Sequence, residues 1–485
     1  MNIISLTFII YLFVIMGVGF VTSRMMKNLK DFALGGNRLG PVVIAFSERA
    51  SGESAWLILG LPGAAIAAGL LEAWTALGCV LGIIVSWIII AKPIRTLTEK
   101  YDALTIPELL SKKFKDETGA IRLLSAIIIT FFFTFYVAAQ FSGAGKVLHV
   151  TFGFSHMEGM IVGAIIILSY TIMGGFLAVA WTDLVQGIIM IGTLVILPIV
   201  GWIELSGVSP SAQVLDWSTL YGGQSGVSAL LGAVAGLSWG LGYMGQPHLI
   251  VRYMAIDHAD NIKVSRRIAI AWAIPAFMGS LLIGLVGAKL IAGGVLHHNG
   301  EILSIMNLDD PEKLMPIMAA NLLPPWLAGI FISGAIAAMM STADSQLLVS
   351  TTVLTEDIVG QSKKSILKNI NSLSLGRLLT GVIGVVAFYL AWQSTDLVFE
   401  MVSYAWSGLG ASFGPALVLT LWWKHTTKNG VIAGLIVGSV STIIWKNVDV
   451  LHMAVTERLV SFVLAFSAVI LFSMLDRFKD HGTRN

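Results

Sequence analysis

The chain has 485 residues, 56% of them hydrophobic and only 12% charged, with a formal net charge of +2. An ordinary soluble domain is about 25% charged, so the composition is that of a membrane protein, and no basic stripe interleaved with aromatics points to nucleic acid. The single cysteine, Cys79, lies in an apolar run, which excludes a disulfide framework and a cysteine metal site.

A membrane-spanning helix needs about 20 mostly apolar residues, and thirteen such spans are predicted. The first, 4–22, is too long for the core of a cleaved leader, has no basic residues before it and has basic residues after it. It is therefore expected to remain as a helix. The second, 41–70, contains FSERASGESAWLILGLPG (46–63), with Glu48, Arg49 and Glu53 among Ser47, Ser51, Gly52 and Ser54. Charges at mid-membrane cost roughly 2.5–3.5 kcal/mol each on insertion scales and survive only beside partners, ions or water. Serine and glycine also weaken a helix. The stretch is read as a helix broken at mid-depth, with carbonyls and hydroxyls freed to hold something. Splitting it into a helix end and a loop would leave Trp56–Leu71 too short to span.

The remaining spans are 73–91, 118–146, 158–176, 182–203, 226–250, 266–291, 325–353, 376–392, 397–422, 429–446 and 457–475. In 226–250, Gly236, Gly240, Gly242, Gly245 and Pro247 argue against a continuous helix. The two interrupted spans open two groups of five, 41–203 and 226–422. Interrupted segments at matching places in two halves point to an inverted-repeat transporter with its site at mid-membrane. The helix 4–22 precedes the repeats and two helices over 429–475 follow them, in a single transmembrane domain. The link 292–324 holds Asp309, Asp310, Glu312 and Lys313 in a helical-looking patch, expected to form a short outer helix or lid.

Lys and Arg concentrate in alternate links, including Arg24, Lys112, Lys113, Lys363, Lys364 and Lys428, while 204–225 has neither. By the positive-inside rule the N-terminus is expected outside and the C-terminus in the cytoplasm.

Seven stretches then become recognisable: LGGNRLGP (34–41), SAWLILGLPGA (54–64), GGFLAVAWTD (174–183), WGLGYMGQPH (239–248), MSTADSQLLV (340–349), TED (355–357) and SYAWSGLGASFGP (403–415). On these the chain resembles the sodium/solute symporter family, and within it the sodium/proline symporters. The resemblance implies an all-α integral membrane protein of thirteen helices with a leucine-transporter-type five-plus-five core. It implies alternating-access symport of proline into the cell, driven by Na+ across the cell (inner) membrane. No obligatory protein partner is evident beyond the lipid bilayer.

Sodium is a hard cation that takes oxygen ligands, as the harder divalent ions do. Ser341 and Thr342 offer two adjacent hydroxyls in the span 325–353. The resemblance implies that they bind sodium together with the carbonyls of Ala50, Glu53 and Ala338. The unwound halves supply Ser54 and Trp56 on one side and Trp239, Tyr243 and Pro247 on the other. The resemblance places Tyr136, Trp239, Tyr243 and Pro247 around proline. Aromatic faces suit its apolar ring and ring ammonium, and free amides at a helix break suit its carboxylate. His248 and Arg252 are expected at the cytoplasmic mouth.

The chain also departs from the pattern. Gly52 stands where sodium/proline symporters typically carry Asp, Glu48 and Arg49 replace small neutral residues, Glu53 is a new acid, and Asp344 stands where Ser is usual. In some relatives the positions of Asp183, Asp344 and Ser345 form a second sodium site. Arg49 is expected to pair with a carboxylate of this group, Asp344 being favoured, with Glu53 one helical turn away and the adjacent Glu48 pointing elsewhere. Proton coupling through Glu53 or Asp344, and another small solute such as a different amino acid, pantothenate, a sugar or iodide, stay open. A channel would not need a cation site paired with organic-ligand aromatics. An enzyme would need a catalytic constellation; HExxH does not occur, and the GxSxG matches at 236–240 and 410–414 lie inside apolar spans, without the strand-to-helix elbow that the motif needs.

Overall fold

A computed structural model describes residues 2–25, 29–208, 214–360 and 372–482. Lys363 and Lys364, used above for orientation, lie outside the described residues. Every predicted span falls on a helix or a broken pair of helices. Nine helices among the described residues are long and apolar enough to cross a membrane, or ten if one bent pair counts as a span. The exceptions are instructive. Pro41–Gly52 carries two charges, Glu48 and Arg49, nine of the 25 residues of Val398–Trp422 are Ser, Gly or Ala, and His156–Ile172 is apolar but short.

The first broken element starts as Pro41–Gly52, with Pro41 at the first helical position, where its missing N–H costs nothing. The helix stops at Glu53, whose backbone leaves the helical region, and resumes through a wide turn at Trp56–Gly60 into Leu61–Ala68. Backbone groups freed in a membrane must find other partners. Here Gln140 Oε1 accepts the Ala55 N–H at 3.1 Å, and Ser54 Oγ accepts that of Trp56 at 3.4 Å.

The second broken element runs Gly226–Leu237 and Trp239–Gly242, then Pro247–Ala255 after a turn, with a 42° bend. Small residues also let neighbouring helices approach it closely. A methyl group added at Gly78 would sit 2.6 Å from the Leu237 Cα, and one at Gly236 would sit 2.7 Å from the Thr75 nitrogen. Gly78 and Gly82 lie four residues apart, as do Gly236 and Gly240, and the two pairs pack backbone on backbone. On the other side Gly245 meets the Gly410 carbonyl in the same way.

The segment 293–324 is compact. It carries a two-residue hairpin (His297–His298 with Glu301–Ile302), a turn at Pro311–Lys313 and a helix at Leu314–Leu322.

Candidate functional site

The break in the first element presents two faces. Toward the helix Pro325–Val353, the Ser341 hydroxyl donates to Ala50 O at 2.9 Å, with Ala338 O at 3.1 Å. Thr342 Oγ1 donates to Ser51 O at 3.0 Å. Ala50, Ala338, Ser341 and Thr342 therefore come together as expected. Glu53 does not join them in these bonds: Ser51 supplies the carbonyl beside Thr342, and the Glu53 side chain turns to the opposite face.

On that opposite face Arg49 lies between two carboxylates, all three side chains fully buried. Its Nε donates to Glu48 Oε2 at 2.5 Å, its Nη2 bonds Glu48 Oε1, and its Nη1 donates to Glu53 Oε1 at 2.5 Å. This corrects two expectations. Arg49 does not pair with Asp344, and the adjacent Glu48 does not point away, because the long guanidinium side chain reaches back to it through two donors. Glu53, one turn on, pairs as its spacing predicts. Trp87 Nε1 and Tyr253 OH, each at 3.1 Å, complete the donors to Glu48.

The cation beside Asp183 is Arg252. Its Nη2 lies 3.2 Å from Asp183 Oδ2 and 2.7 Å from Ser51 Oγ, it also bonds Ser345 Oγ, and its Nε is 3.1 Å from Ser47 Oγ. Ser47 donates to the same Asp183 oxygen at 2.6 Å, and Ser345 donates to Asp344 Oδ1 at 3.2 Å. Arg252 and His248 are thus wholly buried rather than at a mouth. The apolar window ends before the arginine, whereas the helix Pro247–Ala255 continues through it and turns the side chain inward. Asp183 Oδ1, Asp344 Oδ2 and Gln186 Oε1 are buried without hydrogen-bond partners among the described residues.

The aromatic residues cluster between the two breaks. Trp56 and Trp239 stack at 4.9 Å with 15° between planes, and Phe399 and Phe277 close around them. Tyr243 meets Trp406 edge-on at 4.7 Å, and Tyr136 is 6.5 Å from Trp406 and 3.4 Å from the Ser54 hydroxyl. Pro247 stands apart, lining a small neighbouring cavity with Phe176 and Leu348. Trp406, from SYAWSGLGASFGP, was not singled out in the sequence although its motif was.

Both ends of the bundle carry ion pairs beyond those expected. Lys146 meets Glu312 at 2.5 Å and Asp310 at 2.7 Å, and Glu312 also accepts the Val398 and Phe399 N–H groups at 2.9 Å each. The acidic patch of 292–324 therefore caps the helix whose Phe399 packs on Trp56 and Trp239. Burial pushes the Glu312 carboxyl above its usual range despite Lys146. At the opposite end, Asp357 of the TED stretch pairs with Arg122 at 2.9 Å and accepts from Thr105 at 2.7 Å.

Two interrupted helices facing each other, with hydroxyls and carbonyls on one flank and aromatics on the other, define a secondary transporter of the leucine-transporter type. Comparison agrees. The chain matches the sodium:solute symporter family over residues 32–438 and belongs to it. It is 38% identical over 479 residues to the high-affinity proline transporter PutP of Bacillus subtilis, covering 96% of this chain and 98% of that one. It is 35% identical to the sodium/proline symporter of Escherichia coli K12, covering 97% and 93%. Among solved structures, a Na+-coupled sialic acid symporter in a substrate-bound outward-open state aligns at TM-score 0.79 over 98% of each chain, with 16% identity. The nucleobase-cation-symport-1 family transporter Mhp1, in a closed conformation, aligns at 0.55 over 92% of this chain and 94% of its own, with 14% identity. At these identities the likeness is one of fold.

Proposed function

We propose that the chain carries out sodium-coupled uptake of proline across the cell membrane by alternating access. The observation that carries this reading is the division of the first break into a hydroxyl-and-carbonyl face and an aromatic face. Relatives named proline transporters along nearly the whole chain support it. Sodium would sit between the Ser341 and Thr342 oxygens and the carbonyls of Ala50 and Ala338, the hydroxyls keeping their protons and turning them away, with Ser51 or Glu53 supplying a further carbonyl. The ion then ties the first broken helix to Pro325–Val353. That fixes Ser54 and Trp56 relative to Trp239, Tyr243 and Tyr136, between which a pyrrolidine ring is held, while amides at the breaks receive the carboxylate. Pro247 contributes by ending the second break rather than by contact.

In this reading Arg252 is a tethered cation among Asp183, Asp344 and Ser345, so a single sodium is coupled per substrate. The repeats run 41–203 and 226–422, the N-terminus lies outside and the C-terminus inside. One charge crossing 100 mV releases about 2.3 kcal/mol, and a tenfold gradient adds about 1.4 kcal/mol. Together they sustain roughly 500-fold accumulation of a zwitterion.

The Glu48–Arg49–Glu53 group at the break favours a second reading, proton coupling or a different small solute. Uptake of labelled proline into proteoliposomes decides. Saturable uphill uptake that vanishes without an inward sodium gradient is expected. Equal uptake in choline and sodium buffers with a dependence on pH would replace sodium by protons, and the absence of uphill uptake would leave a channel.

A further inference from the structure

We propose that the Glu53 carboxylate is the counter-ion for the ring ammonium of the substrate, and so sets the preference for an amine-bearing solute; this rests on the proposed function. The first argument is direction. Ala50 and Ser51 offer their carbonyls to Ser341 and Thr342, whereas Arg49 and Glu53, one turn apart, face Tyr243 on the second broken helix. Sodium and the Glu53 side chain therefore belong to opposite flanks of the break.

The second argument is charge. Glu48, Arg49 and Glu53 are fully buried, and with all three ionised they carry one net negative charge. A group buried in low dielectric calls for a compensating cation. The two carboxylates are not equally engaged. Glu48 receives two donors from Arg49 and one each from Trp87 and Tyr253, which fills the roughly four lone-pair positions of a carboxylate. Glu53 receives one from Arg49 on Oε1, and the single Tyr243 hydroxyl lies 3.2 Å from both its oxygens, so it donates to one of them. Glu53 is the member with acceptor capacity to spare.

The third argument is surroundings. Glu53 adjoins Ser54 in sequence, and its partner Tyr243 meets the ring of Trp406, which Tyr136 also approaches. A second buried acceptor lies in the opposite break: Gln246 Nε2 donates to Trp406 O at 3.0 Å, and Gln246 Oε1 has no hydrogen-bond partner among the described residues. A secondary ammonium has two N–H donors, and the two breaks supply two acceptors.

The test compares proline with tetrahydrofuran-2-carboxylate, which keeps the ring and the carboxylate but replaces the ammonium by an ether oxygen. The full-length transporter and its Glu53→Gln variant are reconstituted, and the ratio of the analogue's inhibition constant to the KM for proline is measured. A hydrogen bond to a charged group is worth roughly tenfold or more in binding, so Glu53→Gln is expected to shrink that ratio at least about tenfold. Glu53→Asp, which keeps the charge, is expected to preserve most of it, and stands in should the Gln variant fail to insert. In that case an Asp variant with a KM for proline unchanged but a collapsed ratio would overturn the inference. An unchanged ratio in Glu53→Gln, or a shift in sodium half-saturation alone, would also overturn it. Failure of the parent protein to bind proline at all would instead overturn the proposed substrate, and this inference with it.

Discussion

A single hydroxyl, that of Ser341, bonds the carbonyl of Ala50 on the broken helix and touches that of Ala338 on its own. Replacing Ser341 and Thr342 together by Ala removes two ligand oxygens. The sodium concentration for half-maximal uptake is expected to rise about tenfold or more with insertion intact; an unchanged sodium dependence would place the ion elsewhere. Arg252 offers a second check. Removing one partner of a buried ion pair costs about 3–5 kcal/mol, because it strands the other charge. Arg252→Ala is therefore expected to unfold at lower temperature in detergent than Arg252→Ala combined with Asp183→Asn. Simple addition of the two losses would refute the pairing. These residues were unequally legible. Ser341, Thr342, Asp183 and Asp344 stand out as polar groups inside apolar runs. Arg252 was misplaced because a hydropathy window stops at a charge, so a helix that carries its arginine inward looks shorter than it is. The partner of Arg49 depended on the reach of a flexible side chain around a helix break, which spacing rules for regular helices do not describe.

The two broken helices were readable as elements because each violates the rules for an apolar span: charges and serines in one, glycines and a proline in the other. What the glycines do was only half readable. Gly245 lies at the unwound turn, where it also meets the Gly410 carbonyl, whereas Gly236 and Gly240 sit in helix and serve as the surface on which Gly78 and Gly82 rest. A glycine needed for a bend and one needed for close approach look alike in a sequence until the partner is known. The contact predicts that Gly82→Val lowers the unfolding temperature sharply, since the added carbons overlap the Gly240 backbone and overpacking typically costs about 1–3 kcal/mol. Gly192→Ala, at a helical glycine with nothing within 4 Å of an added methyl, is the control. It is expected to be neutral or stabilising by up to about 1 kcal/mol. Equal effects of the two substitutions would refute the close contact.

Across the whole molecule, the helix Ala120–Phe152 is fastened at both ends. Lys146 holds Asp310 and Glu312 near its close, while Asp116, just before its start, meets Lys428 at 2.6 Å. Burial raises the Asp116 carboxyl, but the bonds from Lys428, Thr118 and the Ile121 N–H outweigh it and bring it down to about 2. A carboxyl lowered in the folded state contributes stability that is complete above its unfolded value near 4. That contribution is lost as pH falls toward about 2. The difference in unfolding temperature between the parent and Asp116→Asn is therefore expected to be constant from pH 7 to 5 and to shrink below pH 4. A difference that changes between pH 7 and 5 would point to another group. The all-α class and the order of the helices were legible at this scale because hydropathy is a property of long windows. The fastenings were not, because each joins residues far apart in sequence, such as Lys146 and Glu312, whose charges by themselves look like ordinary loop or helix-end charges.

The stacked indoles of Trp56 and Trp239 have an optical consequence. Two such rings in contact couple their strong electronic transitions, which gives a paired far-ultraviolet circular-dichroism band that a single ring lacks. They come from the two broken helices, so any solute that inserts between those helices must separate them and change that signal. The molecule therefore contains its own unlabelled reporter of occupancy, recoverable from the background of its 14 tryptophans as the difference between the parent and Trp56→Phe.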